Sequence, residues 1–257
     1  MTGTSPGLDE SPTVAPQSNE GRLAYVDVLR VAVIVMVVAH HAAQPYGPTG
    51  GDWPVTDPAN SAWLGPFFSV NAAFGMGLLF LLAGYFVPRS YDRKGAGRYL
   101  KDRWTRLGVP LAFFALVPVG YLVEPVQRPL GQFARSLYES GLLNVYIHLW
   151  FLGHLLLYSG AYVVWRLFTD RSPGGPRRAW SPPNHVAILG FVVWLALSTW
   201  VVRGWYPIDE WVPLLFVVAA EPAHLPQYVS LFALGIVAYR GDGVQRGECG
   251  SQDVGRR

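Results

Sequence analysis

Charge is scarce in this chain of 257 residues. Asp, Glu, Lys and Arg make up 14% of it, against roughly 25% in soluble domains. Set beside 51% hydrophobic residues, that scarcity excludes an ordinary soluble globule and implies a polytopic membrane protein. The lone cysteine, Cys249, rules out an internal disulfide. Lysine is almost missing, with only Lys94 and Lys101, so the cations are nearly all arginines. The net charge of +3 is small, and the cations cluster between apolar segments. That pattern carries topology rather than a nucleic-acid footprint. No Walker A loop, GxSxG elbow or HExxH pair occurs, and the histidines form no metal cluster. Residues 1–21 lack a basic region followed by an apolar one, so no cleavable signal peptide is expected. Aromatics, by contrast, are plentiful: ten Trp and thirteen Tyr, both types that membrane interfaces enrich.

Length and patterning give the organisation. Residues 1–21, rich in Ser, Thr, Pro, Gly and acids, read as a disordered cytoplasmic tail. Residues 22–240 read as a transmembrane domain and 241–257 as a polar, atypical tail. A helix needs about 20 mostly apolar residues to cross the hydrocarbon layer. Segments 28–46, 64–87, 107–126, 145–168 and 185–202 meet that need, and 225–239 is a shorter sixth candidate. The run 211–220 is too short, is interrupted by Pro213, and reads as re-entrant or interfacial. The expected fold is therefore all-α, a polytopic transmembrane helix bundle of about six spans, multi-pass in the plasma membrane.

Arginine placement orients the spans. The loop 89–106 carries seven Lys/Arg, and the linker 166–184 adds Arg166, Arg171, Arg177 and Arg178. Loop 47–63 has Asp52 and Asp57 and no cation. The positive-inside rule puts the first two in the cytoplasm and the last outside, with the N-terminus cytoplasmic.

Two histidines close the first span. At 100° per residue, Asp27, Arg30, Ile34, Val37 and His41 fall near one stripe. Arg30 and His41 are separated by about 16 Å along the axis, and His40 is turned about 100° away. Ionisable residues inside a span are expensive and face protein or a wet cavity, so His41 is the candidate functional imidazole and His40 its structural neighbour. Asp27 can offset Arg30 as an i,i+3 pair; Arg30 itself reads equally as a helix-end cation reaching phosphates. Arg103 and Arg106 are also i,i+3 and suit a phosphate clamp, or else an ordinary cytoplasmic anchor. Trp150, His154 and Tyr158 fall at i,i+4,i+8; they line a cavity or, more simply, form an aromatic stripe around a bonded histidine. Asn71, Glu124 and Glu221 read as structural.

With these residues in place, the chain resembles the membrane acyltransferase family 3, which includes O-antigen acetylases and glucan succinyltransferases. YVDVLRVAVIVMVVAHHAAQPYG (25–47) is similar to the family's opening helix, an Asp-x-Leu-Arg start with a histidine eleven residues after the Arg, which selects His41. LLFLLAGYFVPRSYDRKGAGRYLKDRWTRLGVP (78–110), HLWFLGHLLLY (148–158) and PQYVSLFALGIVAYR (226–240) resemble later blocks. The resemblance implies transfer of an acyl group, commonly acetyl, from cytoplasmic acyl-CoA to a hydroxyl of a carbohydrate or other acceptor, with no tightly bound cofactor. It implies His41 as general base, Arg30 at the donor or reaction centre, Arg103 and Arg106 on the donor, and Asp27, His40, Trp150 and His154 in support. Partners would then be acyl-CoA, the acceptor and membrane lipids. The arginine motif departs from some relatives in having two residues between Arg103 and Arg106. Relatives also continue for several helices past the block ending at Arg240, so the resemblance implies a C-terminally shortened member. A transporter or lipid-translocating protein and an inactive remnant are the competing readings.

Overall fold

The computed structural model of the chain describes residues 24–48, 57–116, 149–169, 183–208, 210–214 and 218–254. The expected tail 1–21 and Asp52, Glu124, His148, Arg171, Arg177 and Arg178 lie outside the described residues.

Helix α1 is Ala24–Ala43, an apolar run without Gly or Pro until the 3-10 turn Gln44–Tyr46 introduces Pro45. Helix α2, Gly65–Arg103, opens with Pro66 in its first turn, where the missing N–H costs nothing. A π-helical turn, Trp104–Gly108, joins it to α3, Val109–Leu116. Helix α4 is Trp150–Thr169. Helix α5, His185–Arg203, is capped by Asn184, whose side chain accepts from the Ala187 N–H at 2.8 Å. Strands β1, Val212–Leu214, and β2, Val218–Ala220, pair antiparallel with Pro213 opposite Ala219. Helix α6, Leu225–Val254, ends the described chain.

Four described helical stretches are long and apolar enough to cross a membrane: Val26–Tyr46, Ala62–Phe113, Trp150–Thr169 and His185–Arg203. The bundle is as expected, but the count of about six is corrected to these four among the described residues. Two segments account for the difference. Segment 107–126 is described only as far as Leu116, where α3 follows the π turn, and its remainder lies outside the described residues. The apolar part of α6 covers only 225–239, after which the same helix runs on through polar residues to Val254. The short run 211–220 does not read as a span: its described residues Val212–Leu214 and Val218–Ala220 pair as the β1–β2 ribbon.

The basic segment 89–106, expected as a loop, is helical with a bend. A straight helix from 62 to 113 would be about 78 Å long, far beyond a hydrocarbon layer of about 30 Å. Gly95 breaks it with φ 73° and ψ 166°, a backbone region essentially reserved for glycine. Contacts at i,i+8 across the bend follow: Lys94 Nζ donates to Asp102 Oδ2 at 2.8 Å, and the Tyr91 and Tyr99 rings lie 5.9 Å apart. In a straight helix those residues would be about 12 Å apart along the axis. The membrane part of α2 therefore ends near Pro88, and Ala96–Arg103 is a second helical arm.

The core lies where α2, α4 and α6 meet. Phe80, Val87, Tyr91, Tyr99, Tyr158, Tyr162, Val163, Tyr228 and Phe232 form one buried cluster. Lipid tails are as apolar as these side chains, so packing and polar contacts hold such helices together rather than exclusion of water. Close backbone approach supplies the packing. A methyl group on Gly84 would overlap the Phe232 carbonyl and lie 2.9 Å from its carbon. One on Gly235 would overlap the Leu81 carbonyl and lie 2.7 Å from the Tyr85 nitrogen. Helix α1 joins α2 by a polar clasp: buried Asn71 donates Nδ2 to the Met36 carbonyl at 3.1 Å. The seam of α1 is Val26 and Val33, both buried, and His40 continues it at seven-residue spacing.

Candidate functional site

The ionisable residues of α1 border its packed seam. His40 lies on the seam. Its ring sits 5.0 Å from Phe68, edge-on, and 6.1 Å from Phe67, and Gln44 Nε2 lies 3.1 Å from its Nε2. Those contacts dock the end of α1 against the start of α2. His41, one residue on, is turned away from that seam, with its ring 5.7 Å from that of His40. Its Nδ1 donates to the Val37 carbonyl at 2.8 Å. A carbonyl only accepts, so the neutral ring carries its proton on Nδ1 and its lone pair on Nε2.

Arg30 lies about three turns back along the same helix. Its guanidinium stands 4.6 Å from the centre of the Phe86 ring on α2, a cation–π contact. Asp27, one turn earlier, is partly exposed and engaged by neighbours.

The two candidate clamp arginines lie past the Gly95 bend. Arg103 folds back over the buried Tyr99 ring at 5.1 Å, and its buried Nε has no hydrogen-bond partner among the described residues. Arg106 sits in the π turn, largely exposed, and its Nε pairs with Asp102 Oδ1 at 3.0 Å. Asp102 thus receives both Lys94 and Arg106. The hydrogen bond from Lys94, followed by the charges of Lys94, Arg106 and Arg103, outweighs desolvation and holds its carboxyl below the usual carboxylate range. His41 and the Arg103–Arg106 pair are not brought together: they stand toward opposite ends of α1 and α2, with Arg30 and Phe86 between them along the bundle.

The α4 stripe is packed into the core. His154 is 1% exposed, donates Nδ1 to the Trp150 carbonyl at 3.0 Å, and meets the Trp150 ring edge-on at 5.3 Å. Trp150 in turn stacks on Tyr228 at 5.3 Å. The buried His154 Nε2 and Tyr158 hydroxyl have no partner among the described residues. The structural reading of this stripe and the cavity-lining one diverge only at those two atoms.

Two further groups have partners that the sequence reading left unnamed. Glu221 pairs with His224 at 3.2 Å beside Tyr228; their i,i+3 spacing was the available signal. Arg166, read only as a topology marker, ties α4 to α2. It bonds Asp92 and the Tyr162 hydroxyl at 3.0 Å each and stands 4.9 Å over Tyr91. Among the described residues no group of three or more His, Cys, Asp or Glu is placed to hold a metal.

Ionisable groups on membrane-length helices around an aromatic core define a polytopic membrane protein. The chain belongs to acyltransferase family 3, whose acyltransferase domain matches residues 23–247. It is accordingly a membrane acyltransferase. No curated protein and no solved structure gives a significant match.

Proposed function

We propose that this protein transfers an acyl group, commonly acetyl, from acyl-CoA on the cytoplasmic side to a hydroxyl of a carbohydrate or other acceptor, with His41 as the general base. The observation that carries the proposal is the Nδ1 hydrogen bond of His41 to the Val37 carbonyl at 2.8 Å. It fixes the tautomer whose Nε2 takes a proton, which an attacking hydroxyl must lose. In that step the acceptor oxygen forms a bond to the acyl carbon, the thioester C–S bond breaks, and the proton passes from the hydroxyl by way of His41 to the departing thiolate.

The donor's phosphates suit the arginines past the bend. Arg103 has a buried Nε still to be satisfied, and a phosphate oxygen would satisfy it. Arg106 is exposed and held by Asp102, which a phosphate would have to displace. The extended arm of CoA would then run toward α1, with Arg30 on its path to His41. The plasma membrane as the site and a cytoplasmic N-terminus complete the reading, supported by the arginine distribution.

The test is release of free CoA from acetyl-CoA by purified protein in lipid, with and without a polyhydroxyl acceptor. His40→Ala should retain acceptor-dependent release, whereas His41→Ala should lose it by about 10²–10⁴-fold. Equal release by the two variants would remove His41 from the base role.

A further inference from the structure

A second site lies between α5 and α6, at the end of α5 away from the basic linker. There the two helices enclose a cleft of about 380 Å³ lined by Thr199, Trp200, Arg203 and Gln227, with Leu195 and Ala196 as its apolar wall. Its volume falls in the range of small-molecule sites, about 300–1,000 Å³. Leu195, Thr199 and Arg203 follow one another at i,i+4,i+8, so one stripe of α5 supplies the apolar, hydroxyl and cationic parts in order. Trp194 Nε1 on α5 also donates to Ser230 Oγ on α6 at 3.0 Å, which ties the two helices together.

Depth and charge say what the cleft receives. Helix α5 has 19 residues, about 28 Å of rise, which matches the hydrocarbon layer of about 30 Å. Arg203, its last residue, is therefore at headgroup level. Exposed Trp200, Trp205 and Tyr206 surround it, as expected of an interfacial belt. None of the α5 side chains is buried, so the cleft opens toward lipid. Arg203 has no carboxylate partner among the described residues, and an arginine suits a phosphate through two parallel N–H donors. Gln227 has its Nε2 committed to the Ala73 carbonyl at 2.7 Å, which leaves Oε1 to accept from a ligand hydroxyl.

We propose that this cleft binds the phosphodiester headgroup of an anionic phospholipid, with Arg203 and Thr199 on the phosphate and the acyl chains lying along Leu195 and Ala196. The site is independent of acyl transfer and is distinct from the Arg103–Arg106 region.

The test uses the full chain in nanodiscs of equal phosphatidylglycerol and phosphatidylcholine, with retained lipid counted by native mass spectrometry. Wild type should carry one preferentially retained phosphatidylglycerol. Arg203→Gln should lower that retention about tenfold, the effect of one charge-assisted hydrogen bond. Thr199→Trp, which fills the cleft and keeps the charge, should lower it as much, while Arg89→Gln should leave it unchanged. Equal retention of the two lipids by wild type, or equal loss in Arg203→Gln and Arg89→Gln, overturns the proposal. A parallel arm offers inorganic phosphate to protein in detergent without lipid. Arg203-dependent phosphate binding there, with no lipid preference in nanodiscs, would assign the site to a soluble phosphate and also overturn the proposal. Circular dichroism of each variant separates loss of binding from loss of fold.

Discussion

Replacing Gly84 by alanine tests the packing that sets the core. The added methyl would meet the Phe232 carbonyl oxygen and stand 2.9 Å and 3.1 Å from the carbonyl carbon and Cα of that residue. All three are backbone atoms of α6, so no side chain can rotate to make room. The helices must separate, and separation loosens the contacts of Phe80 with Tyr228 at 4.9 Å and of Tyr158 with Phe232 at 5.2 Å. Overpacking of this kind costs about 1–3 kcal/mol, and the loss of these ring contacts places Gly84→Ala toward the upper part of that range. Gly190 is the matched control. It lies in α5 with nothing within 4 Å of the added methyl, and alanine favours a helix by about 1 kcal/mol over glycine. Thermal unfolding in one detergent, followed by circular dichroism, should show a lower midpoint for Gly84→Ala and an unchanged or higher one for Gly190→Ala. Equal midpoints, or a drop in both, would refute the claim that close α2–α6 approach holds the bundle.

Other perturbations have equally defined outcomes. Gly95→Ala should cost about 1–3 kcal/mol from backbone strain alone, since open space surrounds the site; a normal melting point would mean that α2 does not need the bend. Asn71→Leu removes the clasp to Met36 and should lower stability by about 0.6 kcal/mol, at most about 1.7, measured by the same unfolding assay. Asp102, with its carboxyl pulled down by Lys94 and Arg106, should stay ionised below the usual carboxylate range. Its ion pairs are then present above that range and are lost as pH falls through its lowered pKa. Carbon-13 shifts of a labelled Asp102 check the direction, and a midpoint at or above an ordinary aspartate would contradict it.

Particular residues show what could be read from sequence and what could not. The helical phase of α1 turned His40 from His41 correctly because 3.6-residue periodicity depends on local geometry alone. The packed seam was less legible. Val26 and Val33 are buried while Ile34 is 47% exposed, yet in a lipid-facing helix these residues carry the same apolar signal. Polarity no longer separates inside from outside, so the Asp27–His41 stripe was visible and the seam beside it was not. The basic segment 89–106 was read as a loop from its charge, but Arg, Lys, Leu and Tyr all tolerate a helix. Only the positive φ of Gly95 reveals where the chain bends. Gly84 and Gly235 both sit in apolar runs of the sequence, but their close approach across 151 positions depends on the tertiary fold. Arg103 and Arg106 were found by spacing, but the attachment of Arg106 to Asp102 and the stacking of Arg103 on Tyr99 follow from the π turn and the bend. Asn71, read as structural from the sequence, is the clasp between α1 and α2, but its partner Met36 could not be read there.

The proposed division of labour between the two ends of the bundle is tested most directly by measuring acyl-CoA binding and acyl transfer side by side in lipid. His41→Ala should bind acyl-CoA as wild type does while transfer falls about 10²–10⁴-fold. Arg103→Ala should weaken binding about tenfold and recover its transfer rate at saturating donor. Loss of binding in His41→Ala, or unchanged binding in Arg103→Ala, would contradict the account.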